Sequence, residues 1–287
     1  MSTIMSTMRK LSLMAALVAM ALATVGVSRA QLSPPNEMGV SMGHVHLVVK
    51  DVAASEKFFV DIGGTPVKLG PNDMVKFPGG IIGIRKGDPA NGTGGVDHIG
   101  FQVKSGAGLM DKFAAMGLKT EPVKGCNATA THSCGFVYTG DGVKIEFIEN
   151  SSNSVPIKFD HIHFNAVGAP PDGANSATAM REWYQKVFGA ADGTSGAGPT
   201  AAKALELPGT SLRFRAATTV SIGTKGTTLD HIGFEIKNLE EFVQKAQANG
   251  VKFDVPFTKR PELGITQAFV TDPWGNYIEL TEGLNKL

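Results

Sequence analysis

Residues 230–234 read Asp-His-Ile-Gly-Phe, and close variants of this segment occur three more times in the chain of 287 residues. In each copy a histidine is followed by apolar residues that alternate with small or polar ones, which is the period of a β-strand. The four copies are Gly43-His44-Val45-His46-Leu47, Asp97-His98-Ile99-Gly100-Phe101, Asp160-His161-Ile162-His163-Phe164 and Asp230-His231-Ile232-Gly233-Phe234. A segment that recurs in this way predicts an internally repeated fold.

Each copy is followed by the pattern of an amphipathic helix and then by about three short strands separated by turn residues. In the helices, apolar residues recur at spacings of three and four, as Leu109 and Phe113 do. The last helix is predicted to begin at the N-cap Asn238, with Glu241 completing a capping box, and to end at Gly250. The sequence therefore predicts an α+β fold of four βαβββ modules.

The spacing of the repeats also predicts that the modules pair. The second and fourth match without a net gap, since the histidine of the first strand and a glutamate of the last strand lie equally far apart in both. A polar stretch that ends in proline, Asn150–Pro156, separates the two halves. We therefore expect two domains, the first at residues 41–150 with modules 1 and 2, and the second at residues 158–287 with modules 3 and 4.

The repeats keep residues of the kinds that bind divalent metals. Every module has a histidine in its first strand and each half has a glutamate in its last strand, namely His44, His98, His161, His231, Glu146 and Glu279. A carboxylate that alternates with apolar residues along a strand faces away from the core. Two imidazoles and one carboxylate that meet on such a face predict a metal site with open positions for substrate or water.

The residues two positions after each histidine share its face of the strand. In modules 2 and 4 they are Gly100 and Gly233, which we expect to leave room for a ligand beside the metal. In modules 1 and 3 they are His46 and His163. These two histidines are candidates for catalytic proton acceptors or for partners of the metal ligands, and a buried polar contact is the alternative.

Four segments in register resemble the vicinal oxygen chelate superfamily, which includes glyoxalase I, extradiol dioxygenases, fosfomycin-resistance thiol transferases and bleomycin-binding proteins. The segments are His44–Asp51, Asp97–Phe101, Asp230–Glu235 and Asp272–Glu279. The likeness covers about residues 41–150 and 158–287. It implies two domains of paired βαβββ modules, each with a curled mixed sheet that encloses a cleft around a metal.

The resemblance also implies the ligand sets. Pairing modules along the chain gives His44, His98 and Glu146, and then His161, His231 and Glu279. Crosswise pairing, which some members of the superfamily show, instead groups His44 with His231 and Glu279, and His161 with His98 and Glu146. Either grouping gives complete triads, each for one divalent metal that the sequence leaves open among Fe, Mn, Zn, Ni and Co.

The implied function is that of a metal-dependent enzyme acting on a small substrate with vicinal oxygens, and the reaction stays open. Glyoxalase I takes a further glutamate from the last strand of its first module, but Ile81–Arg85 and Ser211–Arg215 contain none. Extradiol ring cleavage is an alternative, although Phe269 stands where its signature has a tyrosine. A metal-free binding protein of the bleomycin-resistance type and a metal-stabilised structural protein are further alternatives.

Composition narrows the class of partner. The formal charge is +1 and aromatic residues make up 7%, which argues against a nucleic-acid-binding protein with clustered Lys and Arg. Arg85 and Arg215, at matched strand ends, are interpreted as solvated, and binding of a substrate carboxylate is the alternative. We expect a small-molecule substrate, no membrane contact of the mature chain, and a monomer or homodimer.

The first thirty residues predict export. Arg9 and Lys10 precede the uncharged apolar run Leu11–Val27, and Ser28-Arg29-Ala30 follows with small residues for cleavage. A cleaved signal peptide at residues 1–30 is the prediction and an uncleaved anchor the alternative, so the mature protein is expected in the periplasm or secreted. In that oxidising compartment Cys126 and Cys134 are spaced to bridge two arms of a hairpin.

Overall fold

The computed structural model describes residues 32–90, 92–122, 131–167, 176–193, 201–217 and 222–287. Within these ranges four α-helices are present: α1 (Val52–Asp61), α2 (Leu109–Ala115), α3 (Ser176–Phe188) and α4 (Leu239–Ala248). The strands of the first two modules are β1 (Val40–Val49), β2 (Thr65–Leu69), β3 (Asn72–Phe77), β4 (Gly80–Lys86), β5 (Val96–Val103), β6 (Lys119–Pro122), β7 (Thr131–Tyr138) and β8 (Lys144–Asn150). Those of the last two are β9 (Ile157–Val167), β10 (Ala191–Asp192), β11 (Ala201–Leu207), β12 (Thr210–Ala217), β13 (Leu229–Ile236), β14 (Phe253–Arg260), β15 (Ile265–Thr271) and β16 (Tyr277–Glu282).

The element order is strand, helix and three strands, four times over. This confirms the predicted α+β fold of four βαβββ modules. Each histidine-containing segment lies in the first strand of its module, and each predicted glutamate lies in the last strand of module 2 or module 4. The repeat in the sequence is therefore a repeat of the same supersecondary unit.

The strands form two mixed sheets of eight strands, and each sheet combines modules from both halves of the chain. Sheet I has the order β14-β15-β16-β13-β1-β4-β3-β2 and joins modules 1 and 4. Sheet II has the order β10-β11-β12-β9-β5-β8-β7-β6 and joins modules 2 and 3. The central pairs β1–β13 and β5–β9 are antiparallel, whereas β1–β4, β13–β16, β5–β8 and β9–β12 are parallel.

The sheets therefore do not follow the sequence boundaries at 41–150 and 158–287. The polar stretch at 150–156 connects β8 to β9, and both of these strands flank β5 in sheet II. Since the chain passes directly from module 2 into module 3 of the same sheet, this stretch is a connection within a sheet and not a boundary between sheets. The modules pair crosswise.

The helices, in contrast, pack with their neighbours along the chain. Phe58 of α1 and Phe113 of α2 have ring centroids 5.9 Å apart, and Phe188 of α3 stacks on Phe242 of α4 at 6.3 Å. Apolar residues of both sheets and all four helices join one buried core. Burial of this continuous apolar surface is the main stabilisation that the fold has available.

Helix α4 begins directly after Asn238, as predicted, but the hydrogen bonds at its N-terminus differ from the prediction. Asn238 adopts φ 59° and ψ 61°, and its side chain makes no capping hydrogen bond, while Glu241 pairs with Lys245. The N–H of Leu239 instead donates to the Glu282 carboxylate at 3.1 Å, and Glu149 accepts from Gly106 at 2.8 Å at the matching place in module 2. The predicted capping box is wrong because a carboxylate from the last strand of the module takes its place.

Two predictions fall outside the described residues. The signal peptide at residues 1–30 lies there, and so does Cys126, the predicted partner of Cys134, whose own side chain is buried. Among the residues that the structure does describe, no helix has the length and apolar character needed to cross a membrane.

Candidate metal sites

Three of the predicted ligands meet on sheet II, and we call this group site II: His98 of β5, His161 of β9 and Glu146 of β8. The Nε2 atoms of the two histidines lie 3.1 Å apart, and each lies 3.2 Å from Glu146 Oε2. All three residues are buried. Two donors that each lie about 2.1 Å from one ion at a tetrahedral angle are about 3.4 Å apart, so this triangle has the size that a single metal ion requires.

The far nitrogens of the site II imidazoles set the direction of their lone pairs. His98 Nδ1 donates to Asp97 at 2.6 Å, and His161 Nδ1 donates to Asp160 at 2.8 Å. In a neutral imidazole one nitrogen carries the proton, so with a metal bound both Nε2 atoms present lone pairs towards it, next to Glu146. Without a metal, a hydrogen on Nε2 is what lets these histidines hydrogen-bond to Glu146. Carboxylates on the far nitrogens are typical supports of metal-bound histidines. The donor set fits a divalent metal.

The other three predicted ligands meet on sheet I, and we call this group site I: His44 of β1, His231 of β13 and Glu279 of β16. Glu279 Oε2 lies 3.0 Å from His44 Nε2 and 2.9 Å from His231 Nε2. His231 Nδ1 donates to Asp230 at 2.7 Å. His44 follows a glycine, and its buried Nδ1 has no hydrogen-bond partner. Site I therefore has the same three residue types as site II, joined through Glu279, with one supporting carboxylate instead of two. The donor atoms of His44, His46 and His231 also lie within 4.8 Å of one another, so His46 is a further candidate ligand there.

The grouping of the six ligands is thus the crosswise one. The sets formed along the chain, with His44, His98 and Glu146 in one site, are wrong because β1 pairs with β13 and not with β5. The parallel registers place each glutamate opposite the residue two after its histidine, Glu146 opposite Gly100 and Glu279 opposite Gly233.

Those two glycines have a different role from the predicted one. A Cβ at Gly100 would lie 2.0 Å from His161 Cε1, and a Cβ at Gly233 would lie 2.1 Å from His44 Cε1. Non-bonded carbon atoms do not approach so closely, so any side chain there would displace the imidazole. The space is needed for the histidine of the adjoining module and not for a substrate.

Strong local charges hold the ligand carboxylates ionised. Burial acts to raise the pKa of Glu146, but hydrogen bonds with His161 and His98 outweigh it, and the pKa lies well below its usual range. The pKa of Glu279 is lowered in the same way, since contacts with His231 and His44 outweigh its burial. Protons and a metal therefore compete for the same nitrogen and oxygen atoms.

His46 and His163 lie beside the two triads. The His46 ring centroid lies 4.7 Å from that of His231, and the His163 centroid lies 4.7 Å from that of His98. Burial, with the neighbouring histidines His231 and His44, lowers the pKa of His46 to about 3. Burial together with His98 and His161 lowers the pKa of His163 to about 3. Both rings are neutral at physiological pH and keep a lone pair.

The comparisons with known proteins agree with this architecture. Residues 173–280 match the model of the Glyoxalase/Bleomycin resistance protein/Dioxygenase superfamily. The match covers less than half of the chain, from α3 to β16. The resemblance that the strand segments indicate is thereby confirmed.

Solved structures share the fold over most of the chain. Glyoxalase I from Zea mays is similar over 86% of this chain and 94% of its own, with 16% identity and a TM-score of 0.68. A Bacillus subtilis subsp. subtilis protein provisionally described as a dioxygenase is similar over 88% of this chain and 86% of its own, with 14% identity and a TM-score of 0.63. At these identities the likeness shows a shared fold. No curated protein sequence matches the chain.

Sequence reasoning missed one residue of site II in this superfamily fold. Arg213 of β12 stands opposite His163 of β9, and its Nη1 lies 3.7 Å from Glu146 Oε2. The side chain of Arg215 is 44% exposed, in keeping with a solvated residue, but its Nη2 also lies 3.4 Å from Asp97 Oδ1. Arg213 could have been noticed because it lies two residues before Arg215 and so shares its face of the strand. Only the register of β12 with β9 shows that this face also carries the candidate metal ligands.

Proposed function

We propose that this protein is an exported, divalent-metal-dependent enzyme that acts on a small substrate with vicinal oxygens. The observation that carries the proposal is the triangle of donors at site II. Two imidazoles are oriented by Asp97 and Asp160 so that their Nε2 atoms face each other across 3.1 Å, with an ionised carboxylate as the third corner. A buried group of this kind is costly unless a cation completes it.

The residues that would hold the metal are His98, His161 and Glu146 in site II, and His44, His231 and Glu279 in site I. Two histidines and one carboxylate leave coordination positions open. A divalent ion in such a set acts as a Lewis acid towards substrate oxygens and stabilises the negative charge that develops on them. The predicted leader at residues 1–30 supports the periplasm or the extracellular space as the place of action.

The surrounding side chains orient the substrate and keep water away. Phe136 of β7 packs against His98 with ring centroids 5.2 Å apart, and Phe269 of β15 packs against His231 at 5.6 Å. An apolar wall on one side of the ligands lowers the local polarity and strengthens every charge interaction in the site. His163 and His46, neutral and adjacent to the triads, are the candidates to accept a proton from the substrate.

Neither site has a second glutamate as a fourth ligand at the matching register, and this narrows the reaction. In sheet I the register opposite His46 gives Gly83, and in sheet II the register opposite His163 gives Arg213. These are the places in modules 1 and 3 that correspond to Glu279 and Glu146 in modules 4 and 2. A set of three ligands leaves coordination positions for substrate oxygens. The two oxygens of a catechol in extradiol ring cleavage, or the ring oxygen of an epoxide in thiol addition, would fill such positions.

The first experiment is metal analysis of the protein purified from its native compartment. We expect stoichiometric divalent metal in the wild type, loss of part of it in Glu146→Gln and in Glu279→Gln, and loss of all of it in the double variant. Glu262→Gln is the matched control, because Glu262 is an exposed carboxylate that pairs with Arg260. Catechols, hemithioacetals and epoxides with thiols are then tested as substrates.

Two outcomes would replace the proposal. Protein that carries no stoichiometric divalent metal, with uptake unchanged in the double variant, would remove the basis for an enzyme, and ligand affinity retained in chelator would indicate a metal-free binding protein. Metal whose removal costs several kcal/mol of stability, without any exchangeable position, would instead indicate a structural site.

A further inference from the structure

The two triads are alike, but the residues around them differ in charge. Arg213 in sheet II and Gly83 in sheet I occupy the same register, opposite His163 and His46 respectively. A Cβ at Gly83 would lie 3.0 Å from His46 Nδ1, so the ring of His46 fills the space beside site I. At site II the corresponding residue is Arg213, so a guanidinium group lies there instead.

Arg213 contacts both a ligand and the support of a ligand. Its Nη1 lies 3.7 Å from Glu146 Oε2, the oxygen that faces both imidazole Nε2 atoms, and its Nη2 lies 3.2 Å from Asp160. The side chain is 22% exposed, and its Nε–H is buried without a hydrogen-bond partner. A guanidinium has five N–H donors in a planar fork that matches a carboxylate or phosphonate, and these contacts leave donors available.

Two more cations contact the same group of carboxylates. Lys144 Nζ lies 3.2 Å from Asp97 Oδ2, and Arg215 Nη2 lies 3.4 Å from Asp97 Oδ1. In site I the position of Lys144 is held by Tyr277, each being two residues before the glutamate ligand. The contacts of Glu279 are with His44 and His231, and those of Asp230 are with His231 and the N–H of Gly226.

These contacts decide the charge balance of site II. Arg213, Arg215 and Lys144 contact the carboxylates Glu146, Asp97 and Asp160. Glu206 is a fourth carboxylate that interacts electrostatically with Arg213 and Asp160, so the three cations offset most of the negative charge. A divalent ion added to this group leaves the site with an excess of positive charge, and Arg213 contacts Glu146 Oε2, the oxygen that faces both imidazoles. The positive charges of the metal ion and of Arg213, held close together in a partly buried site, favour an anion as the next ligand.

Resting on the proposed function, we infer that site II selects a substrate that carries a carboxylate or phosphonate group, and that Arg213 is the residue that binds this group. Site I lacks this residue and does not share the preference. Arg213 thus determines specificity at one of two sites with the same ligand set.

The test uses Co²⁺-loaded full-length protein and oxalate, a dianion with vicinal oxygens, as the probe. Glu279→Gln disables site I, so that calorimetric titration reports site II alone. We expect Arg213→Gly, which copies Gly83, to weaken oxalate binding in this background by about tenfold or more, equivalent to about 1.4 kcal/mol. Imidazole, an uncharged ligand for the metal, should bind with little change, and Co²⁺ itself should bind at least as tightly.

Two matched backgrounds complete the experiment. In Glu146→Gln, where only site I is loaded, Arg213→Gly should leave oxalate affinity unchanged, and wild-type site I should bind oxalate more weakly than site II. Arg213→Lys keeps the positive charge, so it should weaken oxalate binding less than Arg213→Gly does. This comparison distinguishes loss of the charge from damage to the fold. Oxalate affinity that is unaffected by Arg213→Gly, or that falls together with imidazole affinity, overturns the inference alone. Failure of Co²⁺ to bind to Glu279→Gln overturns the proposed metal function of site II as well.

Discussion

The Nε2 atoms of His98 and His161 face each other at 3.1 Å although the two residues come from different halves of the chain. This contact exists because β5 and β9 are antiparallel neighbours in sheet II. Each ring is held in place by the aspartate that precedes it in sequence. The dipeptide Asp-His therefore carries both a ligand and the group that orients it.

The aspartates should matter for metal affinity more than for folding. Asp97→Asn and Asp160→Asn remove the acceptor charge on the far nitrogen, and we expect each to weaken metal binding at site II by about 10- to 100-fold. The measurement is calorimetric titration with Co²⁺ in the Glu279→Gln background. Asp230→Asn in the same background is the control, since Asp230 supports His231 of site I. Equal losses in all three variants would contradict the prediction.

Gly100 and Gly233 should tolerate no side chain. A Cβ at either position would lie about 2 Å from an imidazole carbon, so Gly100→Ala should displace His161 and Gly233→Ala should displace His44. We expect each to lower the free energy of unfolding by about 1–3 kcal/mol and to abolish metal binding at its own site. Gly140→Ala, where nothing lies within 4 Å of the added Cβ, is the control. Normal metal content in Gly100→Ala would show that the ring can move aside.

The modules and the six candidate ligands were recognisable from sequence because both depend on local patterns. Alternating strands, amphipathic helices and the residue types of a metal site repeat four times, and each repeat adds support to the others. The grouping of the ligands was not predictable, since it depends on whether β1 pairs with β13 or with β5. That choice is made by contacts between residues that lie far apart in sequence.

Arg213 and Asn238 show two further limits of sequence reasoning. Arg213 is one of several arginines near strand ends, and only the register of β12 with β9 places it beside Glu146. Asn238 has the residue type of an N-cap, but Glu282 from a distant strand already accepts the N–H of Leu239. The position of Arg213 and the cap of α4 both depend on tertiary contacts, which the local sequence does not determine.

The replaced cap can be tested directly. We expect Glu282→Ala to lower the free energy of unfolding by about 1–2 kcal/mol, because the N–H of Leu239 loses its acceptor at the start of α4. Asn238→Gly should be neutral or stabilising by up to about 1 kcal/mol, since φ 59° suits glycine and the side chain makes no capping bond. Urea unfolding of both variants measures the difference. If Asn238→Gly lowered the free energy of unfolding more than Glu282→Ala does, the side chain of Asn238 would be the cap after all.

Glu235 should give the protein a pH dependence of the opposite sign to that of most carboxylates. Burial raises the pKa of this carboxyl group, although it accepts the N–H groups of Gly283, Leu284 and Asn285. A raised pKa in the folded state means a stabilising contribution that is complete below the unfolded pKa, about 4.3, and is lost as the pH rises through the folded value.

The wild type should therefore lose stability relative to Glu235→Gln as the pH increases from about 4 towards 7, by no more than about 1.4 kcal/mol per pH unit. Urea unfolding in the presence of chelator, at several pH values in this range, measures the difference without a contribution from metal. Glu262→Gln is the control, because Arg260 lowers the pKa of that exposed carboxylate and predicts no loss of this kind. A wild type that gains stability relative to Glu235→Gln with rising pH would show that the three N–H groups, and not burial, control the charge of Glu235.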